Sequence, residues 1–201
     1  MSGPLNESDV PADPLVLFHE WFSRVQEGRL PMRDAATLAT VSECGRPSTR
    51  IVLLKEYNAE GFVFFTNYRS RKGRDLATNP WAALLFYWPE WSWQIRVEGT
   101  TGKTTREESI AYFSTRSRGR QIGAWASEQS EVISSSEELE DNVRRVEQKF
   151  DDNDVTCPPQ WGGYRLIPES LEFWQGGEDR LHDRLVYLRE GAGWNLVRLS
   201  P

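Results

Sequence analysis

The stretch TLATVSECGRPSTRIVLLKEYNAEGFVFFTN (37–67) decides the architecture. Thr37–Ser42, Thr49–Tyr57 and Gly61–Asn67 are rich in β-branched, aliphatic and aromatic residues. Turn-forming groups separate them, first Glu43-Cys44-Gly45-Arg46-Pro47 and then Asn58-Ala59-Glu60. Links of hairpin length join antiparallel neighbours, because a parallel return needs a long crossover.

The same pattern continues outward. Trp81–Trp88 and Ser92–Thr101, broken by Pro89-Glu90, are two further expected strands. Strand signals return near Gly163–Leu166, Leu171–Trp174, Arg184–Arg189 and Trp194–Leu199, with tight loops at Gly176-Gly177 and Gly191-Ala192-Gly193. Helices fall between. Asp13 caps the first, Pro14 opens it, an apolar face runs to about Val25, and Gly28 stops it. Ser70–Asn79 reads as a short helix ending before Pro80. Thr105–Thr115 carries a capping-box spacing at Thr105 and Glu108, and Ser134–Phe150 repeats it at Ser135 and Glu138, with Arg120–Ser127 a short helix between them. Many short strands and a few helices predict a mainly β, α+β fold: an antiparallel barrel, not a doubly wound sheet. Residues 1–12 read as a loose, flexible arm, and 13–201 as a single domain.

Composition narrows the function classes. With 24 Lys and Arg against 30 Asp and Glu, the net charge is −6, a poor balance for wrapping nucleic acid. No run approaches a membrane span, and the acidic start resembles neither a signal nor a transit peptide. Cys44 and Cys157 alone give no disulfide framework or metal spacing, so a cytoplasmic location and no metal are expected. Nine Trp, nine Phe and six Tyr suit a core, a flat-ligand site or a dimer interface alike.

In an acidic chain, islands of positive charge are informative. One is Arg50 to Lys55, two cations bracketing four aliphatics, for which strand ends are the plainer account taken alone. Another is Arg69-Ser70-Arg71-Lys72-Gly73-Arg74 at a helix start beside Thr66, either a phosphate cradle or a solvated basic loop. The third, Tyr112, Arg116, Arg118 and Arg120, sets a phenol and a guanidinium one helical turn apart; helix-end arginines are the plainer account. In the fourth, an extended Arg180-Leu181-His182-Asp183-Arg184 turns Arg180, His182 and Arg184 to one face, where they repel unless an anion sits among them. His19 lies in the first amphipathic helix and reads as structural. With no GxSxG, P-loop or GxGxxG, the chain offers anion-gripping groups without hydrolytic machinery, which points to a bound cofactor.

The ordered set RIVLLK, FFTN-x-x-SRKG, QIRVEG, YF-x-x-R, QIGAWAS-x-QS, WGGYR and EFWQGG-x-x-RLHDR closely resembles the pyridoxine (pyridoxamine) 5′-phosphate oxidase family, in register from Asp13 to Pro201. The resemblance implies an FMN-binding split barrel and a homodimer with two FMN sites at the subunit interface. It implies oxidation of pyridoxine or pyridoxamine 5′-phosphate to pyridoxal 5′-phosphate, with O₂ reduced to H₂O₂. Carried over by position, FMN contacts fall on Arg50, Ile51, Val52, Leu53, Lys55, Phe65, Thr66, Arg71 and Lys72. Gln94, Gln129, Ser130, Trp174 and Arg184 complete that site, partly from the second subunit. The substrate phosphate falls to Lys55, Tyr112 and Arg116, with Arg120 where the family commonly has serine; Arg180 and His182 flank the ring and the reacting carbon as catalytic residues. Position 65 is Phe where Tyr is common, and the basic N-terminal segment of many members is absent. Relatives in phenazine biosynthesis share the flavin residues and tend to lose the Lys, Tyr and Arg of the phosphate cup, which this chain keeps; a dihydrophenazine substrate is the alternative. Arg50 and Lys55, an odd number apart, require a bulge or different partners.

Overall fold

The structure, a computed structural model, describes residues 4–28 and 31–201. Its centre is a curled antiparallel sheet of β1 (Ala35–Val41), β2 (Pro47–Leu53), β3 (Glu56–Asn58), β4 (Gly61–Asn67), β5 (Trp81–Trp88), β6 (Trp93–Lys103), β7 (Trp161–Gln175), β8 (Asp183–Glu190) and β9 (Gly193–Arg198). The order is β2-β1-β5-β6-β7-β4-β3, and the sheet forks at β7. The first half of β7 pairs with β4 and the second half with β8, which carries β9.

Hairpin links and alternating burial build this sheet as its sequence predicts. Buried and half-buried positions alternate along β1, so one face turns to the core. Helix α1 (Pro14–Glu27), capped by Asp13, lays Leu17, Phe18, Trp21 and Val25 on that face. Phe18 meets Phe62 and Phe86 edge-on at 4.9 and 5.4 Å, and Trp21 stacks on Trp93 at 4.4 Å. Such pairs add about 0.5–1.5 kcal/mol each beyond their buried area. Much of the unusual aromatic content is therefore core.

Three elements differ from their sequence expectation. The run Thr49–Tyr57 is two strands, because the Leu54 N–H donates to Asp34 O beside β1 while the Lys55 N–H donates to Val63 O of β4. The chain changes ladder there, which curls the sheet and removes the parity conflict between Arg50 and Lys55. Gly163–Leu166 and Leu171–Trp174 are parts of one strand, β7, whose register against β6 slips at Glu98/Gly99 opposite Pro168. Proline has no N–H to give the ladder and is accommodated at such a bulge. A side chain at 99 would sit 2.0 Å from Ile167 O, so glycine is required there.

The third difference is the N-terminal segment. Residues 1–3 of the expected arm lie outside the described residues. The rest is docked: Leu5 is 3% exposed within the main core, and Tyr187 Oη donates to Pro11 O at 2.7 Å.

Candidate functional site

Helices α2 (Arg71–Thr78), α3 (Arg106–Ser114), α4 (Arg118–Ala126) and α5 (Ser136–Phe150) form the second layer. Ser70 caps α2, its Oγ accepting from the Gly73 N–H, which fixes Lys72 in the first turn. The Thr105–Glu108 capping box forms as predicted and sets the start of α3. Phe113, Ile122, Phe150, Val155 and Trp161 make a second small core that holds α3, α4 and α5 over the sheet.

Between this layer and the ends of β2 and β4 lies a cleft of about 490 Å³. That volume suits a cofactor-sized ligand. It gathers eleven of the predicted site residues: Ile51, Val52, Leu53 and Lys55 from β2 and its exit, Phe65 and Thr66 from β4, then Lys72, Tyr112, Arg116, Arg120 and Gln129. Helix α3 ends at Ser114, so Arg116 reaches the cleft from the following turn and not from a continuous helix face. Trp161, absent from the sequence reading as a site residue, also lines the cleft. Phe65 and Tyr112 stack at 4.0 Å, and Phe65 and Trp161 at 5.4 Å, a set of near-parallel rings. No spacing rule links position 161 to 65 and 112; the β4–β7 pairing brings Trp161 near Phe65, and the packing of α3 adds Tyr112.

The cleft's electrostatics are those of a place that expects anions. Lys72 is 8% exposed; its Nζ donates to Ser70 Oγ and Gln129 Oε1, both at 3.3 Å, and Thr66 Oγ1 donates to the same Gln129 oxygen. Among the described residues no carboxylate pairs with it. Burial, helped by the nearby Arg50 charge, pushes its pKa down to about 8. Arg116 lies over the Trp161 ring at 4.7 Å, and its buried Nη1 has no hydrogen-bond partner. Burial lowers its pKa, the Tyr112 hydroxyl opposes that, and the Arg120 charge adds to it. A buried guanidinium nitrogen without an acceptor is costly unless an anion completes it. Lys55 differs, being paired to Asp34 at 2.7 Å.

The remaining predicted residues lie elsewhere in the chain. Arg50 does not line the cleft: its Nη1 donates to Thr40 Oγ1 at 2.7 Å, and its Nη2 lies 3.8 Å from Asp75. It stands behind Lys72 as an electrostatic neighbour. Arg71 and Ser130 are exposed, Ser130 with φ 76°. Gln94, Trp174 and Arg184 are direct register partners across β6, β7 and β8, so they form one row on one face. His182 packs on Trp174 at 4.6 Å, and Arg184 Nε donates to the buried Glu172 at 2.7 Å. The expected extended run 180–184 is corrected here. Glu178–Arg180 is a tight turn with Asp179 and Arg180 at φ 50° and 64°, and β8 starts only at Asp183. Arg180 is exposed, and strand alternation does not align it with His182.

Fold and cleft together define a split-barrel protein whose second layer presents unpaired cations and stacked rings to a small-molecule cleft. Residues 24–150 match the family described as pyridoxamine 5′-phosphate oxidase, and 161–201 match the pyridoxine 5′-phosphate oxidase C-terminal dimerisation region. A pyridoxine/pyridoxamine 5′-phosphate oxidase from Rubrobacter xylanophilus is 54% identical over 98% of this chain and 91% of its own. The structure of PhzG from Burkholderia lata, in complex with tetrahydrophenazine-1-carboxylic acid, superposes with a TM-score of 0.91 at 32% identity over 98% of both chains. An FMN-binding, pyridoxamine 5′-phosphate oxidase-related protein from Nostoc punctiforme shares the fold, with a TM-score of 0.73 at 19% identity over 96% of this chain and all of its own. The chain belongs to the pyridoxamine 5′-phosphate oxidase family, a family of oxidoreductases. No helix among the described residues is long and apolar enough to cross a membrane.

Proposed function

We propose that this protein is an FMN-dependent oxidase that converts pyridoxine or pyridoxamine 5′-phosphate to pyridoxal 5′-phosphate, with O₂ reduced to H₂O₂. The observation that carries the reading is Arg116, whose buried Nη1 is unpartnered beside Tyr112 and Arg120. A phosphate monoester supplies the missing acceptors, and a guanidinium grips it through two parallel bonds. Lys55 joins that cup when it shares or leaves Asp34.

FMN fits the other group of residues. Lys72, Thr66 and Gln129 would hold its phosphate, with Arg71 reaching in from the rim and Arg50 behind. Ile51, Val52, Leu53 and Phe65 would line the ring system. Bound there, FMN supplies a two-electron acceptor for the substrate carbon. The protein's own contribution is orientation and exclusion of water, the main source of rate when the cofactor does the chemistry. Gln94, Trp174, Arg180, His182, Arg184 and Ser130 do not line this cleft within one chain. We assign the row on β6–β8 to the cleft of a second subunit, in keeping with the dimerisation region at 161–201. The site then needs a homodimer. A cytoplasmic location suits the two unpaired cysteines.

Oxidation of a dihydrophenazine is the second reading, favoured by the likeness to the PhzG complex. A carboxylate offers two acceptor oxygens where a phosphate monoester offers three and more charge, a poorer match to Lys55, Tyr112, Arg116 and Arg120 together, which is why the first reading stands ahead. Purified protein given pyridoxamine 5′-phosphate should release the aldehyde and H₂O₂ together. Anaerobic bleaching of the flavin by pyridoxamine 5′-phosphate but not by unphosphorylated pyridoxamine supports the cup; bleaching by a dihydrophenazine alone replaces this reading with the second.

Lys72 separates binding from stability. Its ordinary pKa of 10.5 is lowered to about 8 in the fold, so the unfolded chain holds more protons between those values. The stability of the apoprotein therefore rises with pH across that window and is reduced below it. Lys72→Met is expected to stabilise the apoprotein at pH 7 by up to roughly 3 kcal/mol, the fall from 10.5 to about 8 taken at roughly 1.4 kcal/mol for each pKa unit. The same change should weaken FMN binding by about 1.5–3 kcal/mol, a lost charge-assisted phosphate contact. Wild-type FMN affinity should fall as pH climbs past about 8. Flavin titration and apoprotein melting check both; an apoprotein destabilised by the change contradicts the unpaired-cation account.

A further inference from the structure

The turn 176–182 carries Arg180 and His182, yet few bonds hold it. The Gly176 N–H donates to Ser92 O at 2.8 Å, the Leu181 N–H to Glu178 O at 2.9 Å and the Gly177 N–H to His182 Nδ1 at 3.1 Å, while the His182 ring rests on Trp174. Two consecutive non-glycine residues with positive φ sit in it, at 179 and 180, and Leu181 is 73% exposed. Left-handed backbone at such residues is unfavourable and persists only where the surroundings impose it.

The restraint enters one residue later. Both carboxylate oxygens of Asp183 are engaged from outside the turn: Oδ2 accepts from the Leu5 N–H of the N-terminal segment at 3.0 Å, and Oδ1 accepts from Arg198 Nη1 of β9 at 2.6 Å. Arg198 is saturated in turn. Its Nε and Nη2 donate to Glu7 at 2.8 and 3.0 Å, a two-bond fork, and Nη2 also donates to Leu5 O. This pairing holds the Glu7 carboxyl well below its usual range, at about 2. Leu5, plugged into the core, gives the arrangement a fixed anchor, and the Leu199 N–H to Arg184 O bond at 2.9 Å closes the other side. Three segments thus meet on the residue between His182 and Arg184.

We propose that Arg198, with Glu7 and the backbone of Leu5, clasps Asp183 and so holds the 176–182 turn in the geometry that oxidation requires. Arg198 is a positioning residue: it acts through Asp183 and touches neither cofactor nor substrate. The N-terminal segment is a working part of the site, although its acidic composition gives no hint of a ligand. The proposal rests on the function inferred above for its catalytic arm, and on hydrogen exchange for an arm that needs no turnover.

The test compares wild type, Arg198→Ala, Arg198→Lys and Glu7→Gln as FMN-loaded protein. Arg198→Ala should lower kcat for pyridoxamine 5′-phosphate by about 10-fold with KM within about 3-fold, the pattern of a misplaced reacting group and not of lost binding. Amides 177–184 should exchange about 10-fold faster, with exchange in β1 and β5 unchanged, because a local opening and not global stability is affected. Arg198→Lys should recover most of kcat by keeping the charge on Asp183, and Glu7→Gln should fall between. A merely structural role would lower the melting temperature and speed exchange everywhere. Unchanged exchange at 177–184 in Arg198→Ala or Glu7→Gln overturns the clasp. Faster local exchange with wild-type kcat overturns its catalytic part. Should wild type fail to oxidise the phosphorylated vitamers, the functional reading falls and the exchange arm alone decides the clasp.

Discussion

Arg116→Ala is expected to lower kcat/KM for pyridoxamine 5′-phosphate by about 10²- to 10³-fold, mainly through KM. Removing one partner of a buried charge pair costs about 2–5 kcal/mol, because the other charge is left desolvated and alone. Arg116 is where this applies most directly, half-buried with one Nη1 lacking any acceptor until a ligand arrives. The substitution also removes packing on Trp161. Arg116→Met separates the two effects, keeping bulk over the ring while deleting the charge, and should lose nearly as much. Arg116→Lys should recover only part, since a point charge does not reproduce the planar fork. Unphosphorylated pyridoxamine, poor with wild type, should be nearly indifferent to all three changes. Steady-state kinetics with the two substrates side by side decide the matter. An equal loss for both would show that Arg116 holds the fold and not a phosphate.

Much of the sheet is legible because hairpin punctuation is local. Gly45 and Pro47, or Asn58 through Gly61, mark turns without knowledge of anything distant. The capping box at Thr105 and Glu108 is equally local, and it forms. What escapes the sequence depends on pairing between strands. The aliphatic run Ile51–Leu54 looks continuous, yet the chain changes partner at Leu54 because Asp34 and Val63 wait on opposite sides. Pro168 looks like a strand end until β6 is present to accept a bulge opposite it. Docking of residues 4–12 turns on one apolar plug, Leu5, and on bonds to Asp183, Tyr187 and Arg198 at the far end of the chain. No periodicity encodes that.

The candidate site divides along the same line. Residues that line the cleft come mostly from the resemblance, with independent support from the charge islands at 69–74 and 112–120. Trp161 was missed because its role depends on being brought beside Phe65 by β4–β7 pairing. The row Gln94–Trp174–Arg184 follows from register alone once β6, β7 and β8 are aligned. Sequence parity could not place Arg180, since the turn that carries it is not extended.

Arg180→Ala should reduce kcat/KM by about 10²-fold or more with FMN still bound, the scale for losing an oriented charge near a reacting centre. Arg180 makes no hydrogen bond or ion pair among the described residues, and its left-handed backbone is unfavourable for a side chain of its kind. A residue that is strained, exposed and unpartnered contributes nothing visible to folding, so a loss of activity on replacing it reports on the site and not on the fold. Arg180→Gly sharpens the test. Glycine adopts φ 64° without penalty, so this variant should melt no lower than wild type while losing as much activity as the alanine variant. His182 behaves differently. The Gly177 N–H occupies its Nδ1 lone pair, so the neutral ring carries its proton on Nε2 and acts as a donor. A ring in that state has no free lone pair with which to take a proton, and His182→Ala is expected to cost only about 10-fold, below the usual span for a general base. A loss near 10⁴-fold for His182→Ala would mean that the Gly177 bond breaks during turnover and that the imidazole is the base after all. Wild-type kinetics in Arg180→Gly, with flavin bound, would place the substrate away from this turn altogether.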